Sequence, residues 1–335
     1  MSEQNRRLVL AERPSGLVDE TTTRLEHEDL PELQDGEALV RVRYLSIDPT
    51  IRTWMDDAPG YLPPIGVDEV IRGGGIGEVL ESRCEAYEQG QLLFGMTGWQ
   101  EYVVADAGAR TMQALPPGVH PTKALGVLGI TGMTAYFGMT DVARVKEGDV
   151  VVISGAAGAT GSTAGQIAKI KGAATVVGIA GGPEKCAWIV DELGFDEAID
   201  YKNEKVAARL REACPAGIDL YFDNVGGSIL NDCLGHLAMR GRVALCGAIS
   251  SYNSDGPPPG PSNYINLLIK RGRMEGFLIL DYFDRFPAAQ AEMAGWLAEG
   301  KIKSAEHVVE GLESAPEALN LLFSGGNTGK VMVKL

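Results

Sequence analysis

Asp149-Val150-Val151-Val152-Ile153-Ser154-Gly155-Ala156-Ala157-Gly158-Ala159-Thr160-Gly161-Ser162-Thr163-Ala164-Gly165-Gln166 is the stretch on which the fold turns. Its short β-branched run reads as a strand buried on both faces. A turn of glycines and alanines follows, then a helical pattern with Ala164, Ile167 and Ala168 at i, i+3, i+4 spacing. Strand, glycine turn and helix suit a nucleotide pyrophosphate: small residues let the backbone approach, and N–H groups at a helix start attract an anion. Many glycine-rich loops match the bare spacing as empty tight turns, so the surrounding pattern decides.

Downstream, short apolar runs at Thr175–Ala180, Glu197–Asp200, Ile218–Asp223, Arg242–Gly247 and Met274–Leu280 read as strands. Helical patterns at 183–193, 204–213, 226–239 and 263–271 alternate with them, and Ala124–Asp141 reads as a helix ahead of the first strand. Six strands with interleaved helices are the count of a doubly wound α/β sheet of the Rossmann type, expected over 126–302. Upstream, Leu8–Leu10, Glu37–Ser46 and Gly75–Leu80 carry strand spacing, and Gly90–Val104 suggests a strand pair. The tail Ile302–Leu335 returns to strand, helix and strand, ending in the half-buried alternation of Lys330–Leu335. A β-rich, partly open barrel over 1–125, completed by 303–335, is the expected second domain.

The 335 residues suit two domains, and a net charge of −15 argues against nucleic acid and anionic membranes as partners. The N-terminal residues to Arg13 are polar, and no apolar run approaches a membrane span. Cys84, Cys186, Cys214, Cys233 and Cys246 are scattered without a CxxC, and His27, His120, His236 and His307 stand apart. Neither a disulfide framework nor a zinc site is expected, and a reduced, cytoplasmic protein is.

The second strand ends at Val177-Gly178-Ile179-Ala180-Gly181-Gly182-Pro183-Glu184-Lys185, without the tip carboxylate that an NAD site uses on the ribose. Pro183 suits a first helical position. Lys185 opposes the helix dipole unless a phosphate is bound, when dipole and ammonium both face the anion. Tyr201, after the third strand, is a second candidate contact. The pattern favours NADPH, with Lys185 as a solvated charge the alternative.

These residues resemble the zinc-independent branch of the medium-chain dehydrogenase/reductase superfamily that holds prostaglandin, alkenal double-bond and curcumin reductases. The likeness rests on Tyr44-Leu45-Ser46-Ile47-Asp48-Pro49, Tyr61-Leu62-Pro63-Pro64, Gly98-Trp99-Gln100-Glu101-Tyr102, Thr134-Ala135-Tyr136-Phe137-Gly138, Phe222-Asp223-Asn224-Val225-Gly226-Gly227, Cys246-Gly247-Ala248-Ile249-Ser250-Ser251-Tyr252-Asn253 and Gly326-Asn327-Thr328-Gly329-Lys330. Tyr61-x-Pro63-Pro64 and Pro257–Pro261 are most similar to the curcumin-reductase members. The resemblance implies a GroES-like domain beside the Rossmann domain, and a homodimer paired through the last sheet strand. It also implies a cofactor set of Gly158, Ala159, Thr160, Gly161, Ser162, Lys185, Tyr201, Asn224, Cys246, Gly247, Ala248, Ile249, Tyr252, Phe277, Leu278, Ile279 and Asn327. Phe277–Ile279 equally read as a core strand. The sequence departs from the family at Thr50-Ile51, at Gly129-Ile130-Thr131-Gly132 and at Tyr221-Phe222.

Where zinc members of the superfamily carry their ligands, this chain has Ser46-Ile47-Asp48 and Arg72-Gly73-Gly74-Gly75. Without a metal to polarise an alcohol or ketone, the expected reaction is hydride transfer to the β-carbon of an enone or enal. Tyr252 is the candidate donor to the oxygen that gains charge, the cofactor ribose hydroxyl being the alternative. Tyr61, Pro63 and Pro64 are expected at the substrate, where Trp54 and Met55 either add apolar surface or pack in the core. Ser254–Pro261 reads as a loop over the site or a plain linker. A quinone reductase and a catalytically idle NADPH-binding protein are the rival readings.

Overall fold

The computed structural model describes residues 4–254, 256 and 259–335. It divides into one unit of residues 1–125, 252–255 and 306–335 and another of 126–251 and 256–305. In the first, β1 (Gln4–Leu10) and β2 (Thr23–Asp29) form an antiparallel ribbon. β3 (Glu37–Ser46), α1 (Thr50–Trp54), β4 (Gly74–Ser82), β5 (Leu92–Met96), β6 (Tyr102–Asp106), β7 (Met112–Ala114) and α2 (Pro121–Leu125) follow. The second unit runs α3 (Ile130–Phe137), β8 (Val150–Ser154), α4 (Ala159–Ile170), β9 (Thr175–Ala180), α5 (Pro183–Asp191), β10 (Glu197–Asp200) and α6 (Val206–Ala213). It continues with β11 (Ile218–Asp223), α7 (Gly227–Gly235), β12 (Leu237–Leu245), α8 (Ile265–Lys270), β13 (Arg273–Gly276) and α9 (Phe286–Ala298). β14 (Glu306–Glu310), α10 (Ala315–Ser324) and β15 (Lys330–Lys334) return to the first unit.

The second unit's sheet has the order β10-β9-β8-β11-β12-β13 with every pairing parallel. β8 lies between β9 and β11, and Val151, Val152 and Ile153 are fully buried, as a strand covered on both faces requires. The order reverses at β8, which opens a crevice beyond the carboxyl ends of β8 and β11, where such sheets bind ligands. In the first unit the sheet order is β14-β15-β3-β4-β5-β7, with β6 also paired to β3. The chain thus combines a GroES-like β unit and a Rossmann-type sheet.

Several expectations are corrected. The 90–104 segment yields two strands that do not pair with each other: β5 pairs with β4 and β7, β6 with β3. The helix expected over 124–141 is broken between α2 and α3, and the connecting turn folds closely onto α3, where a Cβ on Gly132 would lie 1.8 Å from the Val127 carbonyl oxygen. The departure at Thr131 has a local use, its hydroxyl donating to the Gly126 carbonyl. After α3 the chain widens into a π turn at Gly138–Val142. α7 stops at Gly235, not 239; the His236 ring donates to the Cys214 carbonyl, and buried Leu237 already pairs with Ile218 in β12. The last strand ends at Gly276, opposite Leu245 where β12 itself ends, so Leu278–Leu280 have no ladder to join and Ile279–Arg285 form a 3-10 turn. β15 is buried on both faces from Lys330 to Val333 rather than half-buried, because it lies between β14 and β3.

Candidate functional site

The glycine turn at the end of β8 is a backbone cradle. Gly155 has φ +59°, in the left-handed region that glycine enters without strain. A Cβ on Gly161 would sit 2.3 Å from the Gly155 carbonyl oxygen, and one on Gly165 1.9 Å from the Phe195 ring. Only hydrogen at these two positions lets the start of α4 close on the turn and the helix close on the Phe195 ring. Gly158 is the N-cap of α4, and no side chain caps that helix. The first-turn N–H groups of Ala159, Thr160 and Gly161 thus stand at the positive end of a 12-residue helix. Ser162 and Thr163 hydroxyls turn inward to the Ala159 carbonyl.

Asn224, after β11, is tied to this cradle. Its amide Nδ2 donates to the Ser154 carbonyl at 2.7 Å, and its backbone N–H donates to Ser154 Oγ at 2.9 Å. Asp223, fully buried, accepts from the Tyr221 hydroxyl, Ser154 Oγ and the N–H groups of Val225 and Gly226. That carboxylate shapes the turn that carries Asn224. The loop after β12 is stitched to the same turn: Ile249 N–H donates to the Asn224 carbonyl, and Ser250 N–H and Oγ donate to the Val225 carbonyl. Cys246, Gly247, Ala248 and Ile249 are thereby brought beside Asn224. Burial, with the Asp223 charge adding to it, pushes the Cys246 thiol up to about 12. The Phe277 ring packs edge-on against Phe222, 6.4 Å between centroids, and both rings fill the space a Cβ on Gly138 would need. Ile279 is half-buried and Leu278 more exposed.

A second cluster forms where the tips of β9 and β10 meet. Tyr201 N–H donates to the Ala180 carbonyl. The Tyr201 ring and the Lys202 stem lie about 3.0 Å from where a Gly181 Cβ would be, so both pack closely over this glycine. Lys185, in the uncapped first turn of α5, has its ammonium shifted below the ordinary lysine value by burial and by the charge of Lys202. Two cations near a helix start could hold a doubly charged anion. Lys202 was not anticipated; its place after the strand-tip tyrosine is the signal that would have found it. Asp200 was also missed. Burial alone would raise its carboxyl, but the Gly182 N–H, the Asn203 amide and the Lys202 N–H hold it below the usual carboxylate range. Its oxygens are spent on the turn.

The remaining candidates belong to the other unit. Tyr61 is hydrogen-bonded to the Thr50 hydroxyl and stands edge-on to Trp54, while the Pro63 carbonyl accepts from Arg72 at 2.7 Å. Tyr61, Pro63 and Pro64 are thus held on one short stretch against α1. Met55 is fully buried in the core, whereas Trp54 is only partly covered. Asn327 is buried, with Nδ2 donating to the Gly329 carbonyl. Tyr252 follows the 3-10 turn Ile249–Ser251 and is half-buried. In the loop expected at 254–261, Asp255, Pro257 and Pro258 lie outside the described residues, and the others form neither helix nor strand. Among the described residues no three His, Cys, Asp or Glu side chains are grouped to hold a metal ion, and no helix is long and apolar enough to cross a membrane.

A nucleotide-binding sheet of order 3-2-1-4-5-6 together with a GroES-like unit defines the medium-chain dehydrogenase/reductase class. Sequence profiles described as an N-terminal domain of oxidoreductase and as a zinc-binding dehydrogenase match residues 6–113 and 159–295. The chain is 40% identical to the NADPH-dependent curcumin reductase of Escherichia coli (strain K12), over 99% of this chain and 97% of that protein. Prostaglandin reductase 1 of Rattus norvegicus is 38% identical over 95% of each chain. The crystal structure of CurA in complex with NADPH from Vibrio vulnificus superposes with a TM-score of 0.92, at 43% identity over 98% of each chain. The chain belongs to the zinc-independent branch of the medium-chain dehydrogenase/reductase superfamily that includes these reductases.

Proposed function

We propose that the chain is an NADPH-dependent reductase of the carbon–carbon double bond in α,β-unsaturated ketones and aldehydes. The observation that carries the cofactor is the pair of sites at the carboxyl edge of one sheet: a cradle where a Gly161 Cβ has no room, and the Lys185–Lys202 pair beside Tyr201. They fit a pyrophosphate and a ribose phosphate respectively. The relatedness to an NADPH-dependent curcumin reductase supports the same cofactor. Asn224 and the 246–249 loop continue the cofactor site, with Tyr252, Phe277–Ile279 and Asn327 as its further contacts. The first unit supplies the acceptor contacts Tyr61, Pro63 and Pro64.

When bound, NADPH supplies a hydride to the β-carbon of the acceptor. The chain then has to hold the phosphates and give a donor to the carbonyl oxygen as charge moves onto it. The phenol of Tyr252 is that donor, and a proton delivered to the α-carbon completes the reduction. Five free cysteines support a reducing, cytosolic setting. We also read the chain as a homodimer. β13 has an open edge, and Tyr264, Ile265, Leu268 and Ile269 of the adjoining α8 region are exposed. Sedimentation is expected to show two chains, and Leu268→Glu one; a wild-type monomer refutes this.

NADPH oxidation followed with an enone, a quinone and a simple ketone side by side tests the reaction. Turnover of the enone with loss of its double bond is expected. Reduction of the quinone alone, or tight NADPH binding without turnover of any acceptor, overturns it.

A further inference from the structure

Lys330 is a deeply buried cation of the first unit, its side chain 3% exposed. Its Nζ donates to the Ile47 carbonyl at 2.6 Å and to Asp48 Oδ1 at 2.8 Å, while Ser46 Oγ donates to Asp48 Oδ2 at 2.5 Å. An apolar side chain of the same length would fill this volume without the cost of desolvating an ammonium. What the ammonium adds is direction, because it fixes a carbonyl and a carboxylate at once. Both acceptors belong to the link between β3 and α1. The Asp48 carbonyl accepts from Ile51 N–H and so starts that helix, and Thr50, its first residue, is hydrogen-bonded to the Tyr61 phenol.

We propose that Lys330 is a positioning residue for the acceptor. Through Asp48 it sets the start of α1, and through Thr50 the orientation of Tyr61. The assignment rests on the reading of Tyr61 as an acceptor contact. It also gives the departure at Thr50 a use: a hydroxyl there grips the phenol, making residue 50 part of the specificity wall. Burial holds the Tyr61 phenol above its ordinary value and the Asp48 charge adds to this, consistent with one connected group of residues.

The test combines Lys330→Met, Thr50→Val and Tyr61→Phe with two readouts. Kinetically, Lys330→Met is expected to raise the KM for an enone about 5–30-fold, the scale of one or two lost hydrogen bonds. The KM for NADPH should stay within about twofold, and in the Tyr61→Phe background the effect on the enone should vanish, as coupled residues require. Independently of turnover, the 13Cζ resonance of Tyr61 should move in Lys330→Met in the same direction as in Thr50→Val. Equal rises in both KM values, an undiminished effect in the Tyr61→Phe background, or an unmoved resonance each overturns the assignment. If the resonance moves while the wild-type protein reduces no enone, the positioning stands and the proposed reaction falls. Asp48→Asn, which keeps the shape and removes the charge, is read in the same way if Lys330→Met folds poorly.

Discussion

Replacing Gly161 with alanine tests the cradle directly, because the neighbour it would strike is backbone. The added Cβ would lie 2.3 Å from the Gly155 carbonyl oxygen, 2.9 Å from the Gly155 carbonyl carbon and 3.0 Å from the Ala156 Cα. An ordinary carbon–oxygen contact is near 3.3 Å, so roughly 1 Å of overlap must be relieved by opening the turn. Overpacking of this kind costs about 1–3 kcal/mol, while alanine inside a helix returns up to about 1 kcal/mol over glycine. The net loss, up to about 2 kcal/mol, corresponds to a fall in Tm of a few degrees for a unit of this size. Opening the turn also displaces the N–H groups at the head of α4, so NADPH affinity should fall by about tenfold or more. Gly158→Ala is the internal control, since its Cβ would meet the same oxygen at 3.2 Å and needs only a small adjustment. Fluorescence titration with NADPH and thermal melts of both variants give the comparison. If Gly161→Ala binds NADPH like wild type, the cradle is not the phosphate seat.

The remaining predictions concern charge and the donor. Lys185→Ala is expected to raise the Kd for NADPH by about 10- to 100-fold and that for NADH by less than twofold, the scale of a lost charge-assisted contact. Lys202→Ala should act in the same direction, and equal effects on both nucleotides would place the lysines elsewhere. Because burial and Lys202 lower the Lys185 ammonium below its ordinary value, its charge is lost at a lower pH than an ordinary lysine's. NADPH affinity should therefore weaken as pH rises through that lowered value, with NADH affinity flat; titrations from pH 7 to pH 10 would show the difference. Tyr252→Phe, which keeps the ring, should lower enone turnover on the order of 10²-fold with little change in NADPH affinity, and unchanged turnover would leave the phenol a wall residue.

The sequence by itself determined the class of the fold. The β-branched run at 150–154, the glycine turn and the alternation that follows are local signals, since burial on both faces, tight turns and helix starts each restrict residue type within a few positions. It also pointed to NADPH, because a strand tip without a carboxylate and a lysine in the next helix are both readable along the chain. Tertiary structure decided what depends on neighbours distant in sequence. β13 stops where its partner β12 stops, α7 yields to a strand because Leu237 meets Ile218, and β5 and β6 find β4 and β3 rather than each other. It also decided where charge is spent. Asp200 turns inward to hold the Gly182 turn, Lys202 joins Lys185, and Lys330 lies buried on Asp48, 282 residues away in the chain. An Asp or Lys reads alike in a sequence whether it is solvated or buried, and only the packed chain brings the groups that make it one or the other.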